Sequence, residues 1–245
     1  MSRKVYGLVK QKKPQFPVRE LLVVPHSDGD LTVGHPSFGP STYRGNLQKV
    51  GETYTHPKTG KPMNFRQANT AESISAVTYD FENMAKPQIF DPRWLQAGYI
   101  VKTQDGVFTN TPETNPEKLK QLLNSAEKVN GIYLINTSVA FAPYESFERG
   151  KQDCDTFAQG GLARALEHTP EKVAKNLREI ASPRNYKNGV NVIYFDSVSE
   201  PIVRVAGLYS SRGIVGGGLH VGGWGGDGGF AFGVLDNSRS DAKKN

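Results

Sequence analysis

The chain has 245 residues and a mass of 26.9 kDa, which is enough for one large domain or two small ones. Only 37% of the residues are apolar, the mean hydropathy is −0.50, and there are 26 glycines and 15 prolines, which excludes a coiled coil and a helical bundle. No run approaches the roughly 18 apolar residues of a membrane span, and the first residues lack the apolar stretch of a signal peptide. We therefore expect a soluble, cytoplasmic protein, with non-classical secretion as an effector as the alternative.

The single cysteine excludes an intramolecular disulfide and a cysteine-based zinc site, and it fits a reducing compartment. The formal net charge is +6, and residues 1–19 account for all of it because they hold six basic residues and no acidic one. The remaining basic residues balance the 24 acidic ones. This distribution predicts a neutral body with a basic arm or first strand at residues 1–19, which offers only weak, salt-sensitive binding to anionic surfaces.

Short apolar runs between turn residues predict strands at the beginning of the chain. Val5–Val9 and Glu20–Val24 are such runs, and Leu31–His35 begins another. Residues 36–72 are rich in proline, glycine and polar residues without periodicity, which predicts a long irregular excursion. The segment Ser75–Phe81 that follows has a β-like pattern.

The middle of the chain contains the strongest local signals. Tyr99–Thr109 predicts a β-hairpin, because Asp105-Gly106 supplies the positive φ angles of a two-residue turn. Pro116–Val129 predicts an amphipathic helix that begins with capping residues and proline. A buried strand is predicted next, at Ile132–Ile135.

Two further helices are predicted, over Asp153–Glu167 and from Thr169 to Ser182. Strands follow at residues 190–195 and 202–208. The order of strands, helices and strands predicts an α+β fold in one domain over residues 20–235, with an antiparallel sheet, about three helices packed on one side, and many loops. Residues 236–245 are a polar tail.

Cys154 is the main candidate for chemistry. It lies at the first turn of a predicted helix behind the N-cap candidate Asp153, and the free N–H groups of such a turn stabilise a thiolate. Arg149 and Lys151 act in the same direction, whereas Asp153 and Asp155 act against it. The residues therefore leave open whether Cys154 is a nucleophile or a small packing residue.

The segment around this cysteine resembles a known family. Tyr144, Phe147, Cys154 and Phe157, with the preceding amphipathic helix, are similar to the tyrosine-to-cysteine element of circularly permuted NlpC/P60-type proteins of the papain-like superfamily. The resemblance covers about residues 31–45 and 116–170. It implies a thiol nucleophile and a histidine base for hydrolysis or acyl transfer at an amide or ester bond, on a peptide, acyl or lipid-like substrate and without a cofactor.

Two histidines are candidates for the base. In the permuted order the histidine precedes the cysteine, and Gly34-His35 matches that position, although Pro36 and Asp153 depart from the family pattern. In the conventional NlpC/P60 order the base follows, and His220 matches it. We prefer His35, and the third catalytic residue stays open.

Two other features could bind a ligand, but each can also be explained as an ordinary turn or loop. The loop His26–Asp30, with His35 beyond it, could hold a divalent ion, but a turn rich in aspartate and glycine explains it as well, so we expect no metal. Residues 207–233 contain twelve glycines, which favours a mobile loop, with a flexible flap or a pair of close-packed, glycine-faced strands as alternatives. The aromatic residues in this tract keep a partner-binding role open. They are Trp224, Phe230 and Phe232.

Two functions follow from these observations. The first is a papain-like cysteine hydrolase or acyltransferase with Cys154 as nucleophile and His35 as base. The second is a non-enzymatic structural or interaction protein, such as an assembly component or a partner-binding module, which uses the basic arm and the glycine-rich aromatic tract.

Overall fold

A computed structural model describes residues 20–56, 58–84, 87–90, 94–211, 217–226 and 228–236. The basic arm with its predicted strand Val5–Val9, and the polar tail beyond Asp236, lie outside these residues. The strands are β1 Glu20–Val24, β2 Leu31–Ser41, β3 Thr53–Thr55, β4 Pro62–Gln67, β5 Trp94–Lys102, β6 Gly106–Thr109, β7 Glu127–Val129, β8 Ile132–Leu134, β9 Ala140–Pro143, β10 Gly150–Gln152, β11 Val190–Ile193, β12 Ile202–Ser210, β13 Leu219–Trp224 and β14 Gly229–Leu235. The helices are α1 Tyr43–Val50, α2 Thr70–Asn83, α3 Pro116–Asn124, α4 Cys154–Gln159, α5 Gly161–Glu167 and α6 Lys175–Ile180. None of these helices is long and apolar enough to cross a membrane.

The fourteen strands form one sheet in which most neighbours are antiparallel. Its main path runs β10-β11-β13-β12-β5-β6-β9-β8-β7, and β14 joins β5 to a branch that contains β1, β2, β3 and β4. The parallel pairs among the described strands are β11 with β13 and β14 with β5. The sheet is therefore the scaffold on which every other element is placed.

The predicted fold class was wrong. The protein is a large, mostly antiparallel sheet with six short helices in its described part, rather than an α+β arrangement of about three helices on one side. Helices also lie on both faces. The inner face packs against α2, α5 and α6 in the main core, whereas α3 packs its Leu119 on Val101 and Phe108 of the other, outer face. Many of the strands have only three or four residues, which is too short for their alternation to be recognised in the sequence.

The prediction of an irregular excursion at residues 36–72 was also wrong. This segment contains the end of β2, then α1, β3 and β4, and the beginning of α2. Phe38, Tyr54 and Phe65 pack with their rings 5.3 to 5.9 Å apart in a small separate core. Because each element contributes only one or two residues to that core, no period is visible along the chain.

Ser75–Phe81, predicted as β-like, is part of the helix α2. The helix begins with a capping box, in which Asn69 accepts a hydrogen bond from the Glu72 N–H and the Glu72 side chain accepts one from the Asn69 N–H. Ten residues of α2 are buried, so packing on both sides favours a helix in spite of its β-branched residues.

The signals in the middle of the chain were more accurate. The predicted hairpin is the antiparallel pair β5 and β6. The predicted helix Pro116–Val129 exists as the shorter α3, which is capped by Asn115, and β7 and β8 follow it as a hairpin. The predicted helix Asp153–Glu167 is divided at Gly160 into α4 and α5.

Candidate functional site

Cys154 begins α4, as the sequence predicts. The Asp153 carboxylate caps the helix by accepting hydrogen bonds of 2.9 Å from the N–H groups of Asp155 and Thr156. Arg178 from α6 donates a 2.6 Å hydrogen bond to Asp155. Cys154 is partly buried against the main core and lines an open cavity of about 390 Å³.

The surroundings of this thiol do not favour a thiolate. Burial raises the pKa of Cys154, and the negative charges of Asp155 and Asp153 raise it further, while Arg178 opposes them. No described histidine lines the cavity next to Cys154. The cavity therefore offers no visible base, and the cysteine hydrolase stays a prediction without support from this geometry.

His35, the preferred base, belongs to the opposite branch of the sheet. It lies on β2 opposite Glu20 of β1, and it is close enough to the buried Asp80 of α2 to oppose the rise that burial causes in the pKa of that carboxyl. Asp80 also accepts hydrogen bonds from the backbone N–H and the side-chain amide of Gln88. The structure thus gives His35 a carboxylate neighbour but does not place it in the cavity of Cys154.

His220, the second candidate base, lies on the outer face of β13. Its neighbours Leu219 and Val221 are fully buried in the main core, so His220 points the other way, because side chains alternate along a strand. Cys154 packs against that same core on the inner face. The sheet therefore separates the two side chains.

The loop His26–Asp30 lines a polar cavity of about 510 Å³ together with Arg66, Glu72 and His168. The His26 ring is held by a 2.9 Å hydrogen bond to Ser75. Burial opposes ionisation of Glu72, but the bidentate hydrogen bonds from Arg66 hold its pKa below the usual value. His35 is not among the lining residues, and the described residues contain no group of three or more side chains that could bind a metal ion.

The glycine-rich tract at residues 207–233 is mainly sheet. Its described part forms the end of β12, all of β13 and most of β14, so the prediction of a mobile loop was wrong for these residues. Phe230 and Phe232 are buried in the main core and cannot contact a partner. Trp224, in contrast, is partly exposed on the outer face.

The outer face carries side chains in register across five strands. Lys151 of β10 lies opposite Asn191 of β11, which lies opposite His220 of β13, which lies opposite Tyr209 of β12. Trp94 continues the line on β5, with its ring 5.3 Å from that of Tyr209. At about 4.8 Å between neighbouring strands, this line spans about 19 Å.

Four rings in this region form a continuous group, which we call the aromatic row. Its members are Trp94, Tyr209, His220 and Trp224. The two indoles are 4.7 Å apart, and the imidazole is 5.9 Å from the phenol ring. All four side chains are partly exposed.

Glycines allow the two indoles to approach the backbone of the sheet closely. A Cβ atom on Gly207 would be 1.5 Å from Cζ3 of Trp224, and one on Gly222 would be 3.1 Å from Cη2 of Trp94. The absence of side chains at these positions creates the floor of the aromatic row. This explains part of the unusual glycine content of the tract.

Two members of the aromatic row, Trp224 and His220, are candidates in the sequence, but the row itself is not visible there. Its members come from positions 94 to 224 and are joined only by strand pairing. A glycine-rich strand with tryptophan at its end is the one local signal of such a surface. No protein-family model, curated protein or solved structure matches this chain.

Proposed function

We propose that this chain is a non-enzymatic binding module that takes a ligand with flat rings on the outer face of its sheet. The observation that supports the proposal is the aromatic row, lying on a glycine floor. Trp94, Tyr209 and Trp224 are partly exposed, and exposed aromatic rings stack on planar or apolar ring faces, so such residues are enriched at binding surfaces.

The aromatic row is held in place before a ligand arrives. Trp94 contacts both Trp224 and Tyr209, and Gly207 lets the Trp224 ring lie close to the backbone. Ordering a side chain on binding costs about 0.5–1.5 kcal/mol, and rings that are already packed avoid much of that cost. The surface therefore suits binding by stacking.

Intrinsic fluorescence tests the proposal directly. The chain has two tryptophans, and both belong to the aromatic row, so their emission reports on this surface alone. Titration with a short single-stranded oligothymidylate and, separately, with a cello-oligosaccharide should quench or shift the emission for at least one of them. Saturable binding should weaken in Tyr209→Leu and persist in Tyr133→Leu, a matched change on β8 outside the row. If neither probe changes the emission, the proposal is wrong.

A further inference from the structure

At the described outward positions of β10, β11 and β13, the outer face carries one positive charge and no carboxylate. On the outward positions of β10, β11 and β13 the charged side chain is Lys151, and the others are Asn191, Ile193 and His220 together with Gly222 and Trp224. Lys151 is exposed at the edge of the sheet, where it also lines the cavity of Cys154 together with Lys187. Asp153, which lines the same edge cavity, is occupied by capping α4. The charge of this face complements an anionic ligand.

His220 contributes a neutral ring to this face. Burial lowers the pKa of His220, and the charge of Lys151 lowers it further. The neutral form of the imidazole is therefore favoured, and that form can stack and exchange hydrogen bonds without repelling Lys151.

The chemistry of the face distinguishes between ligands that have flat rings. A saccharide presents hydroxyl donors, and carboxylates are the side chains that accept strongly from them, but the outer positions named above hold none. A single-stranded nucleic acid presents unstacked bases together with phosphates, which match aromatic rings next to a lysine. Stacked duplex bases cannot reach a flat sheet, so a duplex fits less well.

We infer that the aromatic row binds single-stranded nucleic acid, with bases stacked on Trp94, Trp224 and Tyr209 and the phosphate backbone directed toward Lys151. This inference rests on the proposed function, because it names the ligand of the same surface. The aromatic row covers three strands, β13, β12 and β5, which is about 10 Å at about 4.8 Å between neighbouring strands, and Lys151 lies two strands further along the same face.

The test measures binding of the full chain to a fluorescein-labelled oligothymidylate of about twelve nucleotides, within the site sizes of about 4–16 known for single-strand binders. Tyr209→Leu should weaken binding by about 5- to 150-fold, as expected for the loss of one stacked base. If the circular dichroism spectrum of Tyr209→Leu differs from that of the wild type, the variant is not correctly folded. His220→Ala then takes its place and should also weaken binding. Lys151→Glu should reduce the slope of log K against log salt by at least about 0.7, whereas Lys172→Glu, at an exposed site elsewhere, should change it less.

Three competitors separate the inference from its alternatives. The duplex form of the oligonucleotide and heparin, a polyanion without bases, should both compete poorly. If heparin competes as well as the oligonucleotide and Tyr209→Leu has no effect, binding is purely electrostatic and the inference is wrong. If a cello-oligosaccharide quenches tryptophan emission and the oligonucleotide does not, the inference is wrong while the proposed function stands. If no probe binds, both are wrong.

Discussion

Two glycines shape the candidate surface together with its aromatic residues, because they leave room for the indole rings. Gly207 and Gly222 sit in neighbouring strands, paired opposite each other, and each has an indole ring of the aromatic row above it. Glycine normally weakens a strand because it adds no packing. Here the indole supplies the packing that the missing side chain would have given.

Substitution of Gly207 tests this arrangement. In Gly207→Ala the new methyl group would overlap the Trp224 ring, so the ring must move away from the sheet. We expect a loss of about 1–3 kcal/mol in the free energy of unfolding, as for overpacking, and a red shift of tryptophan emission. Gly225→Ala is the matched control, since a Cβ there meets no atom within 4 Å. Equal effects of the two variants would contradict the role given to Gly207.

Cys154 provides the second prediction at this scale. Because burial and two aspartates raise its pKa, the thiolate fraction at pH 7 is lower than in a free thiol. Iodoacetamide should therefore modify Cys154 more slowly than it modifies glutathione at pH 7, and the rate should rise with pH beyond the range in which glutathione levels off. Rapid alkylation at pH 7 would instead revive the cysteine hydrolase hypothesis.

Among the elements, α2 shows most clearly how tertiary packing overrides local propensity. Its β-branched residues favour a strand, but the capping box starts a helix and ten of its residues are buried. The helix also buries a carboxyl, because Asp80 is only 1% exposed. One oxygen of Asp80 accepts from Gln88, and the other has no hydrogen-bond partner among the described residues.

The burial of Asp80 in α2 lowers the stability of the fold by an amount that depends on pH. Burial raises its pKa above the value of the unfolded chain, although Gln88 and His35 oppose this. The folded state therefore binds the proton more tightly, and its stability falls as pH rises from the unfolded value, about 3.9, through the folded value. Asp80→Asn should raise Tm at pH 7, and the difference should vanish toward pH 4 in thermal unfolding followed by circular dichroism. Asp28→Asn, at an exposed site, is the control. A gain that is equal at all pH values would contradict this account.

For the whole molecule, features that depend on neighbouring residues were predicted correctly, whereas features that depend on distant residues were not. Signals confined to a few residues were accurate: the Asp153 cap, the start of α3 at Pro116, and the pairing of β5 with β6. Segments built from short strands were misinterpreted, because a strand of three or four residues contains too few alternations to define a face. The number of strands, and the division of helices between both faces, could not be predicted from such segments.

The candidate site depends on the same distinction. Composition showed a neutral body behind a basic arm, and the helix start at Cys154 was correctly located, because charge and capping are properties of adjacent residues. The histidine base for that cysteine could not be located in the same way. The candidate histidines are far from Cys154 in sequence, and only folding could bring one of them next to it. Folding instead placed His220 on the outer face and left the cavity of Cys154 without a described histidine.

The sequence by itself determined the composition, the charge distribution and the local turns and caps of this protein. Only the tertiary structure decided which side chains share a surface. Lys151, His220, Tyr209 and Trp94 are separated by up to 126 positions, and they meet because the pairing of β10, β11, β13, β12 and β5 sets them in register. That register is set by the burial of the whole inner face, because a shift of one residue would turn every core side chain outward.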